Sequence, residues 1–272
     1  MIQHQIEDGM FLRSRTAAGA SGVSGSARGS ILYIHGLGES GLCFEGLIRD
    51  PRLTAWHHLV PDLPGYGRSA WTAAPMGLEE HAERLGRWLQ ARGGEPVVVL
   101  GHSMGGVLGL FLCERFPEQV RAFCNVEGNL SIHDCHFSSK VAALSPEDLL
   151  AGGFETLLAN IYQDGLKDLP LRSYYASMRF CDPQVHHRNS TELVAFSTGE
   201  SGAARLAALP MPRTYILGSP RGTGEHSQSL LRAEGITPRV IDHAGHWPFL
   251  DQPEAFLEAL AAFLEEITPR KD

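Results

Sequence analysis

Residues 101–105 read Gly-His-Ser-Met-Gly and fit the pattern G-x-S-x-G around Ser103. The apolar, β-branched run at residues 96–100 comes before them and is typical of a buried parallel strand. The apolar run at residues 106–116 comes after them, has the length of a helix and ends before Pro117. The motif requires a strand, a sharp turn at the serine and a helix, because this turn lifts the hydroxyl clear of the sheet. The context therefore predicts that Ser103 is a nucleophile, and a glycine-rich structural turn is the alternative.

The size and composition of the chain limit its class. It has 272 residues, of which 43% are hydrophobic, and this suits one large domain or a domain with an insertion. The formal net charge of −8 and the lack of a Lys/Arg-rich run disfavour binding to nucleic acid. No apolar run approaches the ~18 residues of a membrane span, and residues 1–8 do not resemble a signal peptide. The five cysteines are odd in number and form no C-x-x-C pair, which predicts reduced thiols and a cytoplasmic location.

Strand-like and helix-like runs alternate along most of the chain. Such alternation predicts an α/β fold, in which a mostly parallel sheet carries helices on both faces. Residues 17–30 are rich in Gly, Ser and Ala, and they predict a flexible, exposed connection. The predicted strands are residues 10–16, 31–35, 56–61, 96–100, 120–126, 214–217 and 239–242, and the predicted helices are residues 41–50, 78–92, 106–116 and 253–267.

Residues 130–208 interrupt this alternation. They contain helix-like pieces at residues 146–150, 155–162 and 171–180, many aromatic and His residues, and no convincing strand. Because the stretch is too long for a plain loop, we interpret it as a helical cap over the C-terminal edge of the sheet, where ligands bind in open α/β folds. A peripheral helical excursion is the alternative. The predicted domains are a core of residues 1–129 and 209–272 and a cap of residues 130–208.

Three further motifs accompany the one around Ser103. Residues 34–38 read Ile-His-Gly-Leu-Gly, residues 61–69 read Pro-Asp-Leu-Pro-Gly-Tyr-Gly-Arg-Ser, and each motif follows a predicted strand. Residues 244–248 read Ala-Gly-His-Trp-Pro and come just after the last predicted strand. In order and spacing, the four motifs resemble the α/β-hydrolase fold superfamily over nearly the whole chain outside the cap. The resemblance implies a serine hydrolase of the esterase type with a nucleophile elbow and a catalytic triad, although the chemistry of this fold is diverse.

A serine hydroxyl is a weak nucleophile until a base takes its proton, so an imidazole is needed nearby. Of the 13 histidines, His246 lies late in the chain, in a Gly-containing loop after a strand, where the chain order Ser…acid…His places the base. We therefore predict His246 as the base. His243 is the nearest competitor and is interpreted as structural. His102 is disfavoured because adjacent side chains on the elbow point apart, and His35 is interpreted as ordering the loop after its strand.

Acyl transfer also needs hydrogen-bond donors for the oxyanion. The resemblance assigns them to the backbone N–H groups of Leu37 and Met104. Met104 follows the nucleophile and begins a helix, so its N–H is free and is favoured by the helix dipole. Glycines on both sides of Leu37 let its loop turn the amide inward. An ordinary β–α turn is the alternative for this loop.

The acidic residue departs from the most common pattern of the resembled superfamily. There an Asp usually follows the strand predicted here at residues 214–217, but residues 218–225 contain no Asp and their first carboxylate is Glu225. One strand earlier, Glu127 ends the apolar run at residues 120–126. A Glu at the end of a buried strand is costly unless it is paired, and a triad His is such a partner. We predict Glu127 as the acid, with Glu225 as the alternative; the structural interpretation of Glu127 is a hinge residue bonded to backbone amides.

Together these features predict a serine hydrolase that cleaves a small or medium carboxylic ester or a related acyl compound through an acyl-enzyme. A lactonase, a C–C bond hydrolase, a cofactor-free haloperoxidase and a receptor-like ligand-binding protein with little turnover are the alternatives. The H-x-x-H pattern at His133 and His136 has no second ligand cluster with zinc-like spacing, so we expect neither a metal nor another cofactor. The expected partner is the small-molecule substrate, whose identity depends on the shape of the cap.

Overall fold

An eight-stranded sheet forms the centre of the protein in a computed structural model that describes residues 1–17 and 27–268. In chain order its strands are β1 (Ile2–Glu7), β2 (Met10–Arg15), β3 (Ser30–Ile34), β4 (His57–Pro61), β5 (Val97–His102), β6 (Val120–Val126), β7 (Arg213–Arg221) and β8 (Arg239–Gly245). Their spatial order is β1-β2-β4-β3-β5-β6-β7-β8. Strands β3 to β8 run parallel to one another, whereas β1 and β2 form an antiparallel edge. The predicted α/β class with a mostly parallel sheet is confirmed.

Helices occupy most of the connections between the parallel strands. They are α1 (Glu45–Arg49), α2 (Leu78–Arg92), α3 (Met104–Arg115), α4 (Ser138–Ala142), α5 (Pro146–Asp148), α6 (Phe154–Gly165), α7 (Leu169–Met178), α8 (Pro183–Thr198), α9 (Gly202–Ala208), α10 (Glu225–Ala233), α11 (Pro248–Asp251) and α12 (Pro253–Glu266). Within the described ranges, no helix combines the length and the apolar character that crossing a membrane requires.

The centre of the core lies where α3 packs on β5 and β6. Every residue of β5 is buried, and α3 is buried from Met104 to Cys113. Gly109 permits this close packing, since a Cβ atom there would lie 2.5 Å from the Phe123 ring. Burying an apolar side chain such as that of Phe123 contributes about 1.5–3 kcal/mol. The apolar residues on both sides of Ser103 therefore stabilise the packing of α3 on β5 and β6. The turn between β5 and α3 is thereby held at the carboxyl edge of the central strands.

The sequence-based assignment of the core elements is confirmed with small shifts of their ends. Strands β7 and β8 run further than predicted, to Arg221 and Gly245, which brings the chain directly to His246. Strand β1 was not predicted because residues 2–7 carry no apolar run and most of them are exposed. Helices α8 and α10 were not predicted because their sequences are polar with few apolar positions. The predicted connection at residues 17–30 falls mainly on residues 18–26, which lie outside the described residues.

The chain between β6 and β7 is helical. It carries α4 to α9 and no strand, in agreement with the helix-like pieces seen in its sequence. Helix α8 is the longest helix of this segment, and it is tied to α2 of the core. Glu192 accepts a hydrogen bond from the Leu78 N–H at 2.6 Å. Nη1 of Arg188 lies 2.9 Å from Oε2 of Glu80 and forms an ion pair with it. The division of the chain into a core and a cap remains a prediction.

Candidate active site

Ser103 stands on the turn between β5 and α3 in a strained backbone conformation. Its φ of 54° and ψ of −122° lie in a region that L-residues rarely occupy. Neighbouring glycines make the turn possible, because a Cβ atom on Gly101 would lie 2.2 Å from the Gly105 carbonyl oxygen. A Cβ atom on Gly105 would lie 2.1 Å from the Ile34 carbonyl oxygen. Only glycine fits at these two positions, and the strand-turn-helix context expected for the motif is present.

His246 and Glu127 come together at the carboxyl ends of β8 and β6. The Nδ1 atom of His246 lies 3.3 Å from Oε2 of Glu127. Glu127 is 2% exposed, so its carboxylate needs hydrogen bonds to replace the lost water. The N–H of Gly218 donates to its Oε1 at 2.6 Å, and the Thr223 hydroxyl donates to its Oε2 at 3.0 Å. The carboxylate is thus held from three sides with one oxygen facing the imidazole.

Ser103 and His246 line one narrow cavity of about 30 Å³ beside the loop after β3. Residues of the helical segment form the opposite wall of this cavity. The residues that line it are Gly36, Leu37, Glu39, His102, Ser103, Asn129, Asp134, Phe137, Ser138, Tyr174, Leu193, His246 and Trp247. The structure therefore brings the predicted nucleophile, the predicted base and the predicted oxyanion loop to the same space.

The two predicted oxyanion donors belong to the loop after β3 and to the start of α3. Met104 is the first residue of α3, so its N–H has no acceptor within the helix. Leu37 lines the cavity and belongs to the loop after β3, whose turn uses a positive φ of 72° at Gly38. Outside regular helices and strands, the described residues provide no backbone acceptor for either amide. That these two N–H groups bind the oxyanion remains a prediction.

Other predicted candidates lie apart from this cavity. Glu225 starts α10, its side chain is 80% exposed, and it forms an ion pair with Arg232. His243 is exposed on β8. His35 is buried and serves its own loop: Nε2 accepts from the Leu63 N–H at 3.0 Å, while Nδ1 lies 2.9 Å from the Gly36 carbonyl oxygen. Burial lowers the pKa of His35, so its imidazole is neutral.

A second buried carboxylate, Glu39, was not recognised from the sequence. It accepts hydrogen bonds from the Gly36 N–H at 2.7 Å, from Nδ1 of His102 at 3.0 Å, and from Nε1 of Trp247. Burial opposes its ionisation, but the positive charge of His102 and these hydrogen bonds outweigh burial and lower the pKa of Glu39 to about 2. The sequence did contain a signal for Glu39, because it is an acidic residue inside a glycine-rich loop directly after a buried strand.

The histidines of the H-x-x-H pattern lie at the neighbouring pocket of about 330 Å³ rather than at Ser103. The ring of His133 is 5.1 Å from that of His226, in an edge-to-face arrangement. In the described part of the chain, no group of three or more His, Cys, Asp or Glu side chains is arranged to hold a metal ion.

The family model described as "Alpha/beta hydrolase family" matches residues 31–259, and the chain belongs to this family. Among characterised relatives, a pimeloyl-[acyl-carrier protein] methyl ester esterase of Neisseria meningitidis is 25% identical over 265 residues, which cover 87% of this chain and 94% of the esterase. Lipase LipV of Mycobacterium tuberculosis is 35% identical over 136 residues, and this match spans 47% of this chain and about half (48%) of the lipase. The relatives of this chain thus include esterases.

Solved structures share the fold across the whole chain. A mutant of the N-acyl homoserine lactonase AidH, complexed with N-hexanoyl homoserine, superposes with a TM-score of 0.76 at 20% identity and covers 100% of this chain and 99% of its own. A thermophilic esterase from Thermogutta terrifontis superposes with a TM-score of 0.71 at 18% identity, covering 98% of each chain. At these identities the similarity concerns the fold alone.

Proposed function

We propose that the protein is a serine hydrolase that cleaves a small or medium carboxylic ester, or a related acyl compound, through an acyl-enzyme. The observation that carries this proposal is the 3.3 Å contact between His246 Nδ1 and Glu127 Oε2, made beside a cavity that Ser103 also lines. A nucleophile, an imidazole and an orienting carboxylate in this arrangement are the groups that acyl transfer requires. Membership of a hydrolase family with esterase relatives supports the same chemistry.

In the first step, the Ser103 hydroxyl oxygen attacks the carbonyl carbon of the ester while His246 Nε2 takes the hydroxyl proton. The Glu127 carboxylate accepts a hydrogen bond from Nδ1–H, which fixes the tautomer with Nε2 free and stabilises the imidazolium that forms. The backbone N–H groups of Leu37 and Met104 hold the oxyanion, and the dipole of α3 favours negative charge there. Collapse of the tetrahedral intermediate releases the alcohol, which leaves with the proton from His246.

In the second step, water attacks the acyl group on Ser103. His246 takes a proton from the water and returns it to the serine oxygen as the acid is released. The helical segment acts as a cap in this proposal, because Tyr174 of α7 and Leu193 of α8 line the same cavity as Ser103. Excluding bulk water strengthens the electrostatic interactions at the site.

A fluorophosphonate label and a panel of p-nitrophenyl esters of graded acyl length test the proposal. The label reacts with an activated serine, so wild-type protein should become covalently modified at Ser103 and hydrolyse part of the panel. Ser103→Ala should abolish labelling and lower kcat by a factor on the order of 10⁴ or more, because removal of a triad member has that effect.

Ser229→Ala is the matched control, since Ser229 is an exposed hydroxyl on α10 that bonds only the His226 carbonyl oxygen. This variant should retain both labelling and turnover. Full turnover in folded Ser103→Ala would overturn the mechanism. Tight binding of an ester analogue with no turnover and no labelling in the wild type would favour a ligand-binding protein instead.

A further inference from the structure

His102, the residue before Ser103, has an acceptor opposite each of its two ring nitrogens. Nδ1 lies 3.0 Å from Oε2 of Glu39, and Nε2 lies 2.7 Å from the carbonyl oxygen of His246. A carbonyl oxygen only accepts hydrogen bonds, and so does an ionised carboxylate. When Glu39 is ionised, both ring nitrogens carry a proton, and the His102 side chain is an imidazolium.

The surroundings of Glu39 favour its ionised form. Two of its partners, the Gly36 N–H and the indole N–H of Trp247, can only donate, and the pKa of Glu39 is lowered to about 2. A carboxylate that receives several hydrogen bonds and lies beside a positive charge is stabilised in its charged form. Burial alone would lower the pKa of His102, but the charge of Glu39 and its hydrogen bond outweigh burial and raise that pKa.

His35 shows that burial alone does not produce this state. It is as buried as His102, but one of its ring nitrogens accepts a hydrogen bond from the Leu63 N–H. A neutral imidazole satisfies both contacts of His35, with one nitrogen donating and the other accepting. The difference between the two histidines is the set of partners, because His102 faces two acceptors.

We propose that Glu39 and His102 form a permanently ionised pair that positions the three loops of the active site relative to one another. Glu39 holds the loop of the oxyanion donor Leu37 through the Gly36 N–H and holds the loop of the base through Trp247. His102 stands next to Ser103 and donates to the main chain of His246. The positioning role rests on the proposed hydrolase function, whereas the charge state of the pair does not.

The charged and titratable groups around the pair belong to several elements. The ring of His246 lies 4.9 Å from that of His102, measured between their centroids. The negative charge of Glu127, at the end of β6, also raises the pKa of His102. Cys43, in the turn before α1, directs its thiol to Glu39 at 3.7 Å. Trp247 and Phe249 supply aromatic walls at 6.2 and 5.0 Å from the His102 ring. Both side chains of the pair are almost fully buried, so its charge state depends mainly on these neighbours.

NMR spectroscopy of protein labelled with ¹⁵N in its histidine rings tests the charge state directly. The His102 signals are identified by their loss in His102→Gln. In the wild type, both ring nitrogens should be protonated and unchanged between about pH 5.5 and pH 8.5, a range in which an ordinary histidine loses its charge. In Glu39→Gln, His102 should become neutral within this range. A neutral His102 tautomer in wild-type protein at pH 7 would overturn the proposal, whether or not the protein hydrolyses esters.

Kinetics test the positioning role. Glu39→Gln keeps the size of the side chain and removes its charge, so it should lower kcat about 10- to 100-fold with little change in KM, as small displacements of catalytic groups do. The matched control is Glu45→Gln on α1, whose carboxylate pairs with Arg49 away from the cavity and whose loss should leave kcat unchanged. A folded Glu39→Gln variant with wild-type kcat would show that the pair is structural only. If Glu39→Gln does not fold, the spectrum of the wild type still decides the charge state.

Discussion

Glu127 illustrates how a single residue joins the fold to the site. Its backbone is in the left-handed region, with a φ of 54°, which costs a residue other than glycine on the order of 1 kcal/mol or more. The hydrogen bonds from Gly218, Thr223 and His246 compensate by holding a buried carboxylate. In contrast, Glu225 is exposed and paired with Arg232. The structure thus distinguishes the surroundings of the two carboxylates, and their roles can be tested.

Replacing each carboxylate by its amide tests the choice of acid. Glu127→Gln should lower kcat by about 10²–10⁴-fold, because an amide can favour the wrong His246 tautomer and cannot stabilise the imidazolium. Glu225→Gln is the matched control and should cost less than about tenfold, since fields from exposed carboxylates are screened by salt. Steady-state kinetics on one p-nitrophenyl ester measure both. The reverse result would assign the acid to Glu225 and leave Glu127 as a structural residue.

At the scale of elements, the turn between β5 and α3 depends on two glycines, which carry no side chain. The glycines at positions 101 and 105 leave space that the backbone of neighbouring elements fills. Backbone cannot move aside as a flexible side chain can, so a methyl group added at Gly101 must displace the start of α3, and one added at Gly105 must displace the end of β3. Strand β3 leads to the loop of Leu37.

Gly105→Ala should therefore lower both stability and activity. Its Cβ atom would lie 2.1 Å from the Ile34 carbonyl oxygen. We expect the free energy of unfolding to fall by about 1–3 kcal/mol, as overpacked cores do, with loss of fluorophosphonate labelling. Gly46→Ala is the control, because no atom lies within 4 Å of its Cβ position and alanine suits a helix better. Chemical denaturation measures both variants, and equal stability would contradict the steric account.

The helical segment offers an element-scale prediction for specificity. Tyr174 of α7 lines the cavity, and its ring packs 5.5 Å from the rings of Phe137 and Trp247. Tyr174→Ala should raise kcat/KM for long acyl chains relative to short ones by about tenfold, the effect of one or two methylene groups in a pocket. Tyr162→Ala on α6, where the side chain is 47% exposed, should leave the preference unchanged. An unaltered acyl profile in Tyr174→Ala would show that this part of the segment is not a cap over the substrate.

At the scale of the whole molecule, buried histidines make stability depend on pH. Burial lowers the pKa of His81 in α2 and that of His186 in α8 from 6.5 to about 3. The unfolded chain binds protons at these histidines below about pH 6.5, whereas the folded protein does not until about pH 3. The contribution of these two histidines to the free energy of unfolding is therefore fully present above about pH 6.5. It is lost as the pH decreases, and at pH 5 the loss is about 2 kcal/mol for each histidine.

The slope of the unfolding free energy against pH tests this linkage. Between about pH 6 and pH 4, the unfolding free energy of His81→Gln should fall less steeply with decreasing pH than that of the wild type. The slopes should differ by up to about 1.4 kcal/mol per pH unit, which corresponds to one proton bound on unfolding. His4→Gln, which replaces an exposed imidazole on β1, is the control and should keep the wild-type slope. Urea denaturation at several pH values measures the slopes. Parallel slopes for His81→Gln and wild type would contradict a neutral, buried His81.

The amino-acid sequence by itself determined the class of fold, the elbow at Ser103 and the positions of His246 and Glu127 at strand ends. These features are local, since a buried strand, a glycine-framed turn and an apolar helix are each encoded within about twenty residues. The sequence favoured Glu127 over Glu225 as the partner of His246, but the contact itself and the network of Glu39, His102 and Trp247 were decided only by the tertiary structure. Their partners are separated by 63 to 208 residues in the chain, and the hydrogen bonds exist only because neighbouring parallel strands end at the same edge. No periodicity or propensity encodes which buried polar groups will meet there.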